Sequence, residues 1–302
     1  MRALISALLL LTLPCATAVG EELKVPSGCR QVPQAREAEA VAGGYADRVI
    51  HEKTGIEMIF IPSGDFTMGS NDPASAGAMR PARSVTVRAP FYMGKTEVTN
   101  AQYRRFLADS GYDGKDDTDG DYDLYLRHFR GKSTMSTEDD YPIVWVSWKN
   151  AKAFCDWAGL SIPSEAQWEY ACRAGTTTIY HFGNDKTECD KYGWVLSSKE
   201  YHTHAVAEKL PNGWGLHDMM GNVWEWTADD YFYGHEGAPA DESPRSAGRM
   251  TKVLKGGCWG SGVAIHVTGS GGRYNGAPTN ASGEIGFRVI LPVDQTEENE
   301  SQ

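Results

Sequence analysis

Long apolar runs are scarce in these 302 residues. The mostly apolar stretch from Ala3 to Leu13 is too short to cross a bilayer, which takes about 20 apolar residues, and no later stretch approaches that length. Clustered positive charge is missing as well. The chain carries 29 Lys and Arg against 40 Asp and Glu, a net charge of −11, and no Lys/Arg group offers a face to phosphates. Nucleic acid is therefore not an expected partner, and a solvated acidic surface is the default meaning of the charge. No GxSxG elbow and no P-loop occurs, and no GxGxxG follows a strand-like run, so the serine-hydrolase and nucleotide-binding classes lack their chemistry. CxxC and HxxxHxE are absent too, which removes the common zinc arrangements.

The N-terminus has a positive feature. Arg2, the apolar run and the small-x-small triplet Ala16-Thr17-Ala18 read as a secretory signal cleaved near Ala18. Pro14 before Cys15 makes a poor lipobox. Export, to a periplasm or to the medium, would place the chain where disulfides persist. Five cysteines remain after cleavage, Cys29, Cys155, Cys172, Cys189 and Cys258, an odd number that leaves at least one thiol outside any internal pairing.

Residues 19–54 read as a polar leader containing one helix-like piece, EAEAVAGGYADRV. Residues 55–293 form the expected domain, and 294–302 a charged, disordered tail. Within the domain, Ile56–Ile61 and Val85–Arg88 alternate as strands do. Thr99-Asn-Ala-Gln102 is a capping box opening a helix that Gly111 stops. Ser147 caps a second helix that ends at Gly159, and Ser164-Glu-Ala-Gln167 opens a third that closes at Gly175. No further helix is expected. With 33 Gly, 14 Pro and nine Trp, this composition describes an irregular α+β domain held by packed aromatics and loops, low in regular secondary structure.

Three local patterns invite a metal. In Asp113–Asp121, placing Gly120 on the invariant glycine of an EF-hand puts Lys115 and Leu126 on ligand positions, so this stretch reads as an acidic loop. His202-Thr-His204 would set two imidazoles on one side of a strand, with no accompanying motif. In Asp218–Trp226, DMMGNVWEW, two acids bracket a Gly-Asn turn; carboxylates and freed carbonyls there are hard oxygen ligands suited to calcium, and the bland alternative is a structural turn in an aromatic core.

At GNVWEW the chain resembles the formylglycine-generating enzyme family, also called sulfatase-modifying factor proteins. The matching pieces occur in order: Ile61–Gly69 (IPSGDFTMG), Lys95–Asn100 (KTEVTN), Pro142–Trp148 (PIVWVSW) with Ala151–Gly159, Ile162–Tyr170 (IPSEAQWEY), Trp214–Trp226 (WGLHDMMGNVWEW), Val253–Gly257 (VLKGG) and Gly286–Arg288 (GFR). The resemblance spans about residues 55–292 and implies the family's variant C-type-lectin-like fold. It also implies a structural calcium on the side chains of Asp218 and Glu225 and the carbonyls of Gly221 and Val223.

The family's oxidation of a sulfatase cysteine to formylglycine uses copper(I) on two thiolates in the pattern GGSxxCxxxxC, and soft thiolates suit copper(I). Here Cys258 replaces the serine of that pattern and Ser261 the first ligand cysteine; the second falls on His266, or on Gly269 if Arg273 is aligned with the family arginine. The asparagine expected two residues before GFR is Glu284, whereas Trp224 is kept. The copper pair is therefore missing.

Cys258 has three readings: a metal ligand with His266, half of a disulfide with Cys155, Cys172 or Cys189, or a buried apolar filler. Some family members use disulfides at the positions of Cys155 and Cys172. The candidate catalytic residues are Cys258, Ser261 and His266, and the candidate groove residues Trp224, Glu284 and Arg273. Three functions follow from the resemblance: an altered oxidase of a protein cysteine, with exported sulfatases as the implied partners; a non-catalytic peptide- or glycan-binding module; or an exported small-molecule oxidase of the siderophore-maturation kind.

Overall fold

A computed structural model describes residues 23–32, 42–73, 75–114 and 138–293. The signal segment 1–18, residues 115–121 of the acidic loop and the tail 294–302 lie outside the described residues.

Alternating apolar residues build the main sheet, whose strand order is β1 (Cys29–Gln31), β2 (Arg48–His51), β3 (Glu57–Ile61), β6 (Phe91–Gly94) and β11 (Ile290–Pro292), every neighbour antiparallel. Side chains on a strand point alternately to opposite faces. Accordingly Met58 and Phe60 enter one apolar cluster, with Tyr103, Phe106, Phe154 and Phe287, while Ile59 and Ile61 enter another, with Trp168, Tyr170 and Leu216. Both faces of the sheet are thus covered. Two of its strands come from residues 19–54, read from the sequence as a leader, and the family-like fold incorporates them as sheet edge. Of the helix expected in that leader, the described part is a single 3₁₀ turn, Ala42–Gly44.

The three capping boxes form as the sequence predicts. Helix α1 (Asn100–Ser110) begins with the Thr99 hydroxyl accepting the Gln102 N–H while the Gln102 side chain accepts the Thr99 N–H; Gly111 closes it in the left-handed region. Ser147 with Asn150 opens α2 (Trp148–Ala158), closed by Gly159. Ser164 with Gln167 opens α3 (Glu165–Arg173), which stops one residue earlier than predicted because Ala174 already takes the left-handed conformation at φ 46°.

After α3 the described residues supply two single α-helical turns, α4 (Cys189–Tyr192) and α5 (Ile265–Thr268), besides the 3₁₀ turns Lys186–Glu188 and Leu196–Ser198. A second sheet, in the order β10 (Ile285–Gly286), β7 (Trp224–Asp230), β8 (Lys252–Lys255) and β9 (Tyr274–Gly276), carries the GNVWEW and KGG motifs side by side; β10 pairs with β7 in parallel. A hairpin of β4 (Gly64–Met68) and β5 (Arg83–Val87) completes the architecture.

Where the helices meet the second sheet, charge is buried alongside apolar surface. Lys255 is inaccessible and lies 3.1 Å from Glu169, which also binds Arg173 at 2.8 Å and accepts the Gly69 N–H. Burial opposes ionisation of Glu169, but Lys255 and Arg173 hold its carboxyl well below the usual carboxylate range.

Candidate functional site

Three residues of the DMMGNVWEW turn take positive φ: Asp218 at 56°, Gly221 at 81° and Asn222 at 54°. Gly221 is required on contact grounds as well, since a Cβ there would lie 2.1 Å from the Trp194 carbonyl oxygen. Asn222 is the hub of the turn. Its N–H donates to the Trp194 carbonyl, its carbonyl accepts the Trp259 N–H, and its side-chain oxygen accepts the His204 N–H. The turn thereby fixes both the glycine-rich loop of Cys258 and the loop of His204.

The two acids of the turn have different fates. Glu225 is fully buried and committed: Arg288 donates Nε to Oε2 at 2.6 Å and Nη2 to Oε1 at 2.7 Å, and the Trp168 indole donates to Oε2 at 2.7 Å. Asp218 accepts the Ala207 N–H on Oδ2 and leaves Oδ1 buried without a hydrogen bond. Facing it is Glu97, fully enclosed, with no hydrogen-bond partner beyond its own backbone and the Asp218 carboxyl. Burial, then the neighbouring Asp218 and Glu225 charges, push Glu97 well above the usual carboxylate range; burial likewise lifts Asp218 to about 6. Buried carboxylate oxygens so short of donors are costly as they stand and make a hard-oxygen nest that fits a divalent cation such as calcium. Glu97 was missed in the sequence, where its only signal is a lone acid in KTEVTN.

The thiolate centre does not fit. Cys258 is 2 % exposed; its N–H donates to the Ser261 hydroxyl at 3.0 Å and its Sγ lies 3.4 Å from the same oxygen. Burial pushes this thiol up to about 11, only partly offset by the Ser261 contact, so it is neither an activated nucleophile nor a ready thiolate ligand. His266 is exposed on α5 and contributes its carbonyl to the Arg273 N–H. Gly269, the other candidate for the second thiolate position, is tightly enclosed: a Cβ there would meet the Ile265 carbonyl at 2.5 Å. The residues present do not make a copper(I) dithiolate.

The disulfide reading is corrected as well. Cys29, Cys155, Cys172, Cys189 and Cys258 are all free thiols in the structure. Cys155 belongs to the apolar core, and the Cys172 thiol points to the Met219 carbonyl at 3.7 Å. Of the three readings of Cys258, buried filler survives.

Of the groove residues, Trp224 and Glu284 meet. The Trp224 N–H donates to the Glu284 carbonyl at 2.8 Å, and Glu284 lies over the Cys258 loop, where a Cβ on Gly260 would be 3.0 Å from its Oε1. The Trp224 ring packs 5.6 Å from Tyr274, which is 58 % exposed, and the Trp259 indole donates to the Gly283 carbonyl. Arg273 does not line this surface. It is buried against Glu165 at 2.7 Å, and its Nη1 donates to the carbonyls of Ala78, Phe232 and Gly234. Its role is to tie loops together beneath a separate cleft of about 800 Å³ lined by Tyr231, Phe232, Tyr233, Arg245 and Arg249.

These short sheets, capped helices and long packed loops define a C-type-lectin-like architecture of the sulfatase-modifying type. The chain belongs to the family described as the sulfatase-modifying factor enzyme 1-like domain, whose profile matches residues 47–293. It is 30% identical to the formylglycine-generating enzyme of Mycobacterium tuberculosis, over 78% of this chain and 97% of that one. It is 28% identical to the bovine protein named inactive C-alpha-formylglycine-generating enzyme 2, over 77% of this chain and 87% of that one. Among solved structures, PvdO from Pseudomonas aeruginosa superposes with a TM-score of 0.69 at 29% identity, covering 80% of this chain and 96% of that one.

Proposed function

We propose that this chain is an exported, calcium-stabilised member of the family that recognises an extended polypeptide segment, of the kind presented by a sulfatase, without the copper-thiolate oxidation. One observation carries the reading: the copper-pair positions hold Ser261 and His266 or Gly269, none of them a thiol, and the nearby Cys258 is buried and hydrogen-bonded to Ser261. The surface beside it is suited to binding. The exposed Tyr274, backed by the buried Trp224 ring, gives an aromatic wall, and Glu284 supplies a carboxylate beside it. Likeness to a mammalian relative named inactive supports retention of the fold without the activity. Calcium would be held by Asp218 and Glu97 with the carbonyls of Gly221 and Val223, where it supplies charge neutralisation to buried carboxylates and no chemistry on a substrate.

The test is incubation of the purified protein, with and without copper(I), with a CxPxR-containing peptide. Saturable binding lost in Tyr274→Ala, with no aldehyde detected by mass spectrometry, is the expected result. Copper-dependent aldehyde formation would overturn the reading.

A further inference from the structure

The His202-Thr-His204 motif lies in a loop rather than the expected strand, and the loop adds a third ligand. Glu200, His202 and His204 bring one potential ligand atom each to within 4.8 Å of the other two. The Glu200 Oε2 is 3.5 Å from His202 Nε2 and 4.0 Å from His204 Nε2, and the two imidazoles overlap with centroids 4.4 Å apart. Among the described residues this is the one group of three or more His, Cys, Asp or Glu so arranged.

Two features prepare these imidazoles. The His202 Nδ1 lies 2.7 Å from the Thr203 carbonyl, so it is the protonated nitrogen and Nε2 presents its lone pair toward Glu200. A ligating histidine usually has such a carbonyl partner on its other nitrogen, fixing tautomer and ring orientation. His204 is held rigidly: its ring stacks on Trp194 at 3.7 Å, Lys209 caps the far side of that indole at 3.6 Å, and its N–H is bound by Asn222. It is 8% exposed, and its Nε2 lies 4.0 Å from the Glu200 carboxylate.

We propose that Glu200, His202 and His204 form a three-ligand site for a divalent transition-metal ion, zinc or a close analogue, with a fourth position open to solvent. Two imidazoles and a carboxylate are the donor set such ions prefer, and calcium or copper(I) would not select it. Zinc–nitrogen bonds of about 2.0–2.1 Å require the three donors to draw in by roughly an ångström. Glu200 and His202 are half-exposed and free to do so, while His204 stays anchored. The site is separate from the buried Glu97–Asp218 nest and from Cys258, and it stands independently of the function proposed above. Through Asn222, which binds both His204 and Trp259, an ion there would rest on the turn that carries the glycine-rich loop.

The experiment uses full-length untagged protein, titrated with zinc by calorimetry and with cobalt(II) by visible absorption. One equivalent should bind, and cobalt should give the intense bands of a four-coordinate nitrogen–oxygen site. His202→Ala should weaken binding about 100-fold and Glu200→Gln by at least about tenfold, each tenfold being about 1.4 kcal/mol. Cys258→Ala should leave it unchanged. His202 is on the surface, so an unaltered unfolding midpoint for His202→Ala shows that the fold is kept. Absence of saturable binding, or binding indifferent to His202→Ala, would overturn the proposal.

Discussion

Arg288 and Glu225 meet in a two-pronged ion pair that solvent does not reach, with nitrogen–oxygen distances of 2.6 and 2.7 Å. The remaining guanidinium bonds run to the carbonyls of Gly94 and His217. One side chain from the GFR motif thus joins β6, the approach to the GNVWEW turn and β7.

Removing Arg288 leaves an uncompensated charge in the core. Arg288→Met should destabilise the protein by about 3–5 kcal/mol, the usual cost of breaking a buried pair from one side. Arg288→Met combined with Glu225→Gln should recover part of that loss, because the orphaned charge is gone. Urea denaturation of the two single variants and the double variant gives the coupling directly.

The thiols should behave as buried free cysteines. Alkylation of unfolded, unreduced protein should modify Cys29, Cys155, Cys172, Cys189 and Cys258 in full, read by peptide mass spectrometry. In the native state at neutral pH Cys258 should be protected, because it is both covered and held as a thiol. Rapid native labelling at Cys258 would contradict its placement.

Calcium should raise the midpoint of thermal unfolding. Ligand at 100 times its dissociation constant stabilises by about 2.7 kcal/mol through mass action. Asp218→Asn should abolish that increment and Glu97→Gln should reduce it, since both remove charge from the oxygen nest. The Glu97→Gln variant should also be more stable than the wild type in calcium-free buffer, because a buried acid facing another is relieved. Calcium titration followed by calorimetry separates the two effects.

His181 gives the cleanest pH signature. It packs edge-on against Phe182 and Tyr192, its Nδ1 has no partner, and burial alone lowers its pKa to about 4. Unfolded, it titrates near its ordinary 6.5, so the unfolded chain takes up its proton first as pH falls. Its contribution is complete above about pH 6.5 and drains away toward pH 4, by up to roughly 3 kcal/mol. Asp229, raised to about 7 by burial and then by Glu165, acts in the opposite sense over much of the same range. The effect is therefore read as a difference: His181→Phe should gain stability relative to the wild type as pH falls from 7 to 4. An unchanged difference in urea midpoints across that range would refute it.

Much of the fold was legible because it is written in local terms. The capping boxes at Thr99, Ser147 and Ser164 need only residues three apart, and each appears where its sequence placed it. The strands of β1 and β2 were not legible: they are short, half-polar and stabilised by pairing with β3 rather than by their own pattern. Arg273 misled for a related reason. Its alignment with the family arginine placed it in the groove, yet Glu165, over a hundred residues away in the chain, draws it inside. His202 and His204 stood out by their spacing, whereas Glu97 and Glu200 were obscured because spacing gives no account of which carboxylates the fold brings to a site.

The position of β11 has a consequence for biosynthesis. This last strand pairs with β6, a strand made early in the chain, and Arg288 just before it supplies the only cation bonded to Glu225 among the described residues. Until that final segment has been made, β6 lacks its antiparallel partner and Glu225 its counterion, so the domain's pairing and charge balance are complete only when the last described residues are in place.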